Sequence, residues 1–194
     1  MTDNIDKYNK GNATVKNGAD DQKSDKTDNL ENNIEDNERK MVDVIIPTYR
    51  PAKEFGELLH RLEKQEYRPN RILVMNTGKE YWNSEWENYP LLEVHHLDQK
   101  DFDHGGTRKR AAELSTADIM VFMTQDALPA DRKMIGNLVR AVSRNSGTGA
   151  AYARQLPNAD CRFLERYTRS FNYPEQSSVK SLSDVETYGI KTYF

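Results

Sequence analysis

Apolar positions along the chain fall into short unbroken runs, separated by stretches where they recur at helical spacing. Val42-Asp43-Val44-Ile45-Ile46 is short and β-branched, which predicts a strand ended by Pro47. Phe55, Leu58, Leu59 and Leu62 follow at i, i+3, i+4 and i+7, one face of a helix. Ile72-Leu73-Val74-Met75 predicts a buried strand, closed by the turn signal Asn76-Thr77-Gly78. Residues 91–97 predict a weaker strand, and residues 107–115 a helix opening after a Gly-Gly turn. Residues 119–123 predict a central strand, and Ile135, Leu138, Val139 and Val142 a helix with Asp131 as its cap. Residues 150–153 predict one more strand. Apolar strands alternating with helices imply an α/β domain: a mostly parallel sheet with helices on both faces.

Composition divides the chain. Residues 1–40 hold 7 Lys/Arg, 10 Asp/Glu and 8 Asn, with only isolated apolar residues. Such a segment buries too little surface to offset its ordering entropy, so a disordered acidic, Asn-rich tail is expected there. It carries the whole net charge of −3. A chain this close to neutral lacks the basic excess that nucleic-acid phosphates call for. Cys161 is the only cysteine, so no disulfide can form within the chain, and a reducing, cytoplasmic setting is expected. The longest clean apolar run is residues 119–123, far short of a membrane span. The polar first ten residues lack the apolar core of a secretory signal.

Ligands of such sheets bind beyond the carboxyl ends of the strands, so the residues just after each strand are the candidates. Pro47-Thr48-Tyr49 offers a stacking face and a hydroxyl, suited to a flat nucleobase or to plain packing in a turn. Asn76 carries a donor and an acceptor that can read a base or close a turn. Gly105 and Gly106 open a helix, where a backbone can approach phosphate, and Arg108 follows one turn in. Asp126 follows the 119–123 strand, a place suited to a divalent cation bridging two phosphates. His95, His96, Asp101, Asp103 and His104 form a second candidate, a transition-metal centre, although their spacing matches no established ligand signature.

Taken together, Val44-Ile45-Ile46-Pro47-Thr48-Tyr49, residues 101–108 (DFDHGGTR) and Thr124-Gln125-Asp126-Ala127-Leu128-Pro129 resemble family 2 glycosyltransferases of GT-A fold, in the rhamnosyltransferase branch. Residues 152–157 (YARQLP) and 167–174 (YTRSFNYP) resemble the same branch. The resemblance runs over residues 41–194 and implies the nucleotide-sugar-binding part of a GT-A (Rossmann-like) domain, incomplete at the C-terminus.

It implies roles by position. Pro47, Thr48 and Tyr49 would line the nucleobase pocket of a dTDP- or UDP-linked sugar. Asn76 falls near the family's base-reading acid, which is absent here. Gly105, Gly106, Arg108, Gln125, Arg154 and Gln155 would lie along the donor. Arg108 matches the arginine of an Ala-Arg-Asn motif whose flanks are here Thr107 and Lys109. Asp126 would hold Mg²⁺ or Mn²⁺ as the surviving acid of an Asp-x-Asp motif. The implied reaction is inverting sugar transfer to a polysaccharide or lipid-linked glycan, in the cytoplasm and at the inner face of the membrane. The family's catalytic base lies beyond residues 189–194, where a further strand is expected to begin. Two alternatives stand beside this: a fragment that only binds nucleotide, or that pairs with a second polypeptide, and a metal-dependent hydrolase built on the histidine and aspartate cluster.

Overall fold

Strand β1 (Val42–Tyr49) runs three residues further than its apolar core, and helix α1 (Glu54–Glu63) follows it. Then come β2 (Arg71–Thr77), β3 (Leu92–Leu97), α2 (His104–Leu114), β4 (Ile119–Phe122) and α3 (Met134–Val142). Helices α4 (Phe163–Asn172) and α5 (Val185–Tyr188) complete the order. This computed structural model describes residues 39–158 and 160–189. The expected tail, apart from its last two residues, and the expected strand start at residues 190–194 lie outside the described residues.

The four strands form one parallel sheet in the order β3-β2-β1-β4. Side chains alternate between its faces, as a period of two requires. Val44, Ile46, Ile72 and Val74 pack with Phe55, Leu58, Leu59 and Leu62 of α1 and with Ile135 and Val139 of α3. Ile45, Leu73, Met75 and Leu97 pack on the other face with Ala111 of α2. The expected parallel sheet with helices on both faces is therefore present. Burying each of these large side chains is worth about 1.5–3 kcal/mol.

Four local expectations are corrected. Pro47 does not end β1. Val42 turns its carbonyl toward β2 and Ile45 toward β4, so Pro47, two residues after Ile45, also faces the β4 side. Pairing with β4 stops at Ile45↔Phe122, so the missing N–H costs no ladder bond, while pairing with β2 continues to Tyr49↔Thr77. Asn76 likewise lies inside β2, and the turn falls at Gly78, whose φ of 81° suits glycine. Among the described residues β4 is an edge strand, not a central one; Met120 and Phe122 are exposed. Residues 150–153 form no strand, so nothing described pairs beyond β4.

Helix α3 begins as expected but is capped mainly from a distance. Asp131 Oδ1 accepts from the Lys133 N–H, while the N–H of Ile135 donates to the buried side chain of Gln65, at the end of α1. Among the described residues no helix is long and apolar enough to cross a membrane.

Candidate functional site at the carboxyl edge of the sheet

All four strands run the same way, so their carboxyl ends converge on one edge. A cavity of about 260 Å³ opens there, lined by Tyr49, Gly78, Lys79, His96, Asp98 and Gln99 among others. Its residues come from the ends of β1, β2 and β3 and from the turns after them.

Tyr49 is the most exposed of the strand-end residues predicted to meet a ligand. Its ring meets Tyr81 edge-on at 6.3 Å. The Arg50 guanidinium lies 5.1 Å from the centre of the Tyr49 ring and 4.4 Å from that of Tyr81, and donates to the Tyr81 hydroxyl at 2.7 Å. Arg50 holds a left-handed φ of 47°, a strain of about 1–3 kcal/mol for a non-glycine residue. Two cation–π contacts and a hydrogen bond help offset it.

Gln125 follows β4 and completes the pairing that β4 abandons. Its Oε1 accepts from the Tyr49 N–H at 2.8 Å, and its Nε2 donates to the Tyr49 carbonyl at 3.1 Å. A side-chain amide thus stands in for one peptide unit of a neighbouring strand. Gln125 is therefore a support of Tyr49 instead of a group facing the donor. It also places Asp126, the next residue in the chain, beside the end of β1. The Gln125→Ala variant is expected to raise the exchange rate of the Tyr49 amide about tenfold, a loss of about 1.4 kcal/mol of local protection. Unchanged exchange by NMR would mean that the strand alone holds Tyr49.

Asp126 is exposed and makes no hydrogen bond or ion pair with a described residue. No group of three or more His, Cys, Asp or Glu among the described residues is arranged to hold a metal ion. A lone free carboxylate nevertheless fits Mg²⁺ or Mn²⁺, because such ions are often held by one or two carboxylates, substrate phosphates and water.

The histidine and aspartate cluster is dispersed, which contradicts a hydrolase metal centre. His95 pairs with Glu93 at 2.7 Å, on the face of the sheet that α2 covers. His96 contacts Asn76 on the opposite face. His104 packs edge-on to Phe102 at 5.0 Å. Asp103 is the N-cap of α2, its carboxylate accepting from the Gly106 N–H. The two glycines are accordingly the first turn of α2, not a turn before it. A Cβ on Gly106 would stand 3.0 Å from Asp103 Oδ1, so this glycine admits the cap, and its amide is not free for phosphate. Gly105 is exposed in the same turn. The Arg108 guanidinium folds back onto the His104 carbonyl at 2.9 Å, at the same end of the helix.

Asn76 was expected to read a base, but its side chain is fully buried and engaged inside the protein. Thr48, also buried, donates its hydroxyl to Asn76 Oδ1 at 2.9 Å. Pro47 is half-buried between these residues and the core. Arg154 and Gln155 are exposed and bond within the C-terminal segment, Arg154 to Glu175 at 3.3 Å and Gln155 to Arg169 at 2.9 Å. No contact in this structure ties them to Tyr49, Arg108 or Asp126.

Sequence reasoning missed His96 as a pocket residue, and it missed Arg50, Tyr81, Lys79, Asp98 and Gln99. A signal for His96 existed. Thr48, Asn76 and His96 are each the penultimate residue of their strands, and they stand in register as Thr48↔Asn76 and Asn76↔His96.

The sequence matches the family described as Glycosyl transferase family 2 over residues 43–193. It is 38% identical over 160 residues to the O-antigen chain rhamnosyltransferase RfbN of Salmonella typhimurium, covering 79% of this chain and 49% of that protein. It is 28% identical over 153 residues to the O-antigen chain rhamnosyltransferase WbaN of Salmonella anatum, covering 78% and 48%. The chain spans about half the length of the curated relatives it matches. Among solved structures it is similar to the mannosyltransferase PcManGT from Pyrobaculum calidifontis in complex with GDP-Man and Mn²⁺, with a TM-score of 0.44, 24% identity, and coverage of 53% of this chain and 32% of that one. By the family match over most of its length, the chain belongs to the family 2 glycosyltransferases.

Proposed function

We propose that this chain supplies the donor-binding part of an inverting glycosyltransferase, which moves a rhamnose-like sugar from a dTDP- or UDP-linked donor to a polysaccharide or lipid-linked glycan in the cytoplasm. The observation that carries this is the carboxyl-edge cavity with Tyr49 at its rim, clamped by Gln125, whose chain neighbour Asp126 is a free carboxylate. The two rhamnosyltransferase relatives support the sugar class and the acceptor class. The nucleobase packs against the Tyr49 ring. The diphosphate lies toward Asp126 and Arg108. Mg²⁺ or Mn²⁺ on Asp126 would neutralise charge developing on the departing diphosphate. Arg108 releases the His104 carbonyl to meet the same charge.

Calorimetric titration of the 194-residue protein with dTDP and UDP, with and without Mn²⁺, tests this reading. Binding that Mn²⁺ strengthens is expected with at least one of them. No heat from either nucleotide, in protein shown folded by circular dichroism, would overturn it.

A further inference from the structure

Thr48, Asn76 and His96 form one row across three strands, at the floor of the nucleotide cavity. The middle member decides the chemistry of the last. Asn76 Nδ2 lies 3.3 Å from the Gly78 carbonyl, which can only accept. That fixes which end of the amide is nitrogen. Thr48 then donates to Oδ1, and the second hydrogen of Nδ2 points to His96 Nδ1, 3.0 Å away. Nδ1 must accept, so it carries no proton, and the proton of a neutral His96 sits on Nε2. His96 lines the cavity, and Nε2 has no partner among the described residues. The floor of the pocket therefore presents one fixed N–H donor.

We infer that His96 is a specificity-determining residue of this pocket, its Nε2–H donating to a carbonyl oxygen of the nucleobase and so selecting oxo-bearing bases, uracil or thymine, over adenine. The inference rests on the proposed nucleotide site and adds the group that reads the base. Sequence position points to Asn76 for this task, but Asn76 is spent on orienting the histidine. Adenine offers no carbonyl, and binding it would leave a desolvated donor unpaired.

The same row makes binding pH-dependent. Protonating His96 places an N–H on Nδ1 against the N–H of Asn76. Rotating the amide would lose both the Gly78 bond and the present Thr48 bond. Burial is the main cause that holds the His96 pKa below its ordinary value; the Lys79 ammonium and His95 act in the same direction and Glu87 opposes them. Neutral His96 is thus the folded form above the ordinary value of about 6.5, and both its contribution to stability and base binding weaken as pH falls below that.

The full 194-residue chain, with Mn²⁺, is titrated with dTDP, UDP and ADP near neutral pH and again near pH 5. ADP is expected to bind at least about tenfold more weakly than the better pyrimidine nucleotide, the scale of one lost hydrogen bond. His96→Ala should weaken the pyrimidine nucleotides about tenfold and leave ADP unchanged, and His96→Gln, whose amide can donate, should recover most of the loss. Independently of any nucleotide, the ¹⁵N shifts of the His96 ring in the wild-type protein should show a protonated Nε2 and a bare Nδ1. An Nδ1–H tautomer, equal affinity for ADP, or a His96→Ala variant that weakens all three nucleotides alike would overturn the inference while leaving a nucleotide site intact. Failure of every nucleotide to bind would overturn the site and this inference together.

Discussion

Asp43→Ala is expected to cost about 3–5 kcal/mol of folding free energy, the range for removing one partner of a buried ion pair. Asp43 is fully buried at the start of β1. It accepts from Arg71 at 2.8 Å, from Ser115 at 2.8 Å and from Asn70 at 3.2 Å. Arg71 also pairs with Glu93 at 2.7 Å and donates to the Leu114 carbonyl at 2.9 Å. Without Asp43, the Arg71 cation loses its buried counter-ion, and the Ser115 hydroxyl loses its acceptor. Leu114 and Ser115 close the C-terminus of α2, where a cation is also favoured by the helix dipole. The network therefore fixes the far end of the helix whose first turn carries Arg108. Asp43→Asn, which keeps an acceptor, should cost less. Urea unfolding followed by circular dichroism measures both. A loss under about 1 kcal/mol for Asp43→Ala would place this pair with ordinary surface ion pairs.

The same carboxylate sets an acid limit. Burial by itself raises the Asp43 pKa, but hydrogen bonds from Arg71, Ser115 and Asn70, with the Arg71 charge, outweigh it and hold the group below the usual range. Its contribution is complete above the unfolded carboxylate value of about 3.9 and is lost as pH falls through the lower folded value. Glu93, lowered by its bonds from His95 and then Arg71, has the same sign. Stability should therefore drop on acidification, and much less steeply in Asp43→Ala.

Asp126→Ala is expected to remove the Mn²⁺ dependence of nucleotide binding, with affinity in the presence of Mn²⁺ falling by more than about a hundredfold. Changes in groups that merely support a metal ligand already cost about 10–100-fold, and here the only protein carboxylate at the proposed cation site is deleted. The exposed side chain makes no internal bond, so the unfolding midpoint should stay unchanged. Mn²⁺ enhancement that survives in this variant would mean that the cation sits elsewhere on the diphosphate.

Much of the fold was legible because burial leaves a periodic trace. Phe55, Leu58, Leu59 and Leu62 are all buried on α1, as their spacing predicts, and α3 covers residues 134–142 with Ile135 and Val139 inward. Ends of elements were less legible. Pro47 reads as a strand breaker unless the neighbour on its N–H side is known to have stopped already. Gly105-Gly106 reads as a loop, yet it is the first turn of α2, because the Asp103 cap needs a residue without a Cβ at Gly106. The candidate site was legible as a set of positions and not as a set of roles. Thr48, Tyr49, Asn76, Gln125 and Asp126 do meet at one edge, since parallel strands bring their carboxyl ends together.

By itself the sequence determined the parallel α/β architecture, the two covered faces, the family and the edge where chemistry belongs. Each follows from local apolar spacing or from the order of a few motifs. Only the tertiary structure decided what the polar side chains do there. Hydrogen-bond partners lie far apart in sequence, and register sets them. Gln125 turned out to complete β1, Asn76 to orient His96, and Asp43 with Arg71 to anchor α2. A polar residue's donors and acceptors are known from its type, but which of them remain free for a ligand depends on which neighbours the fold has already supplied.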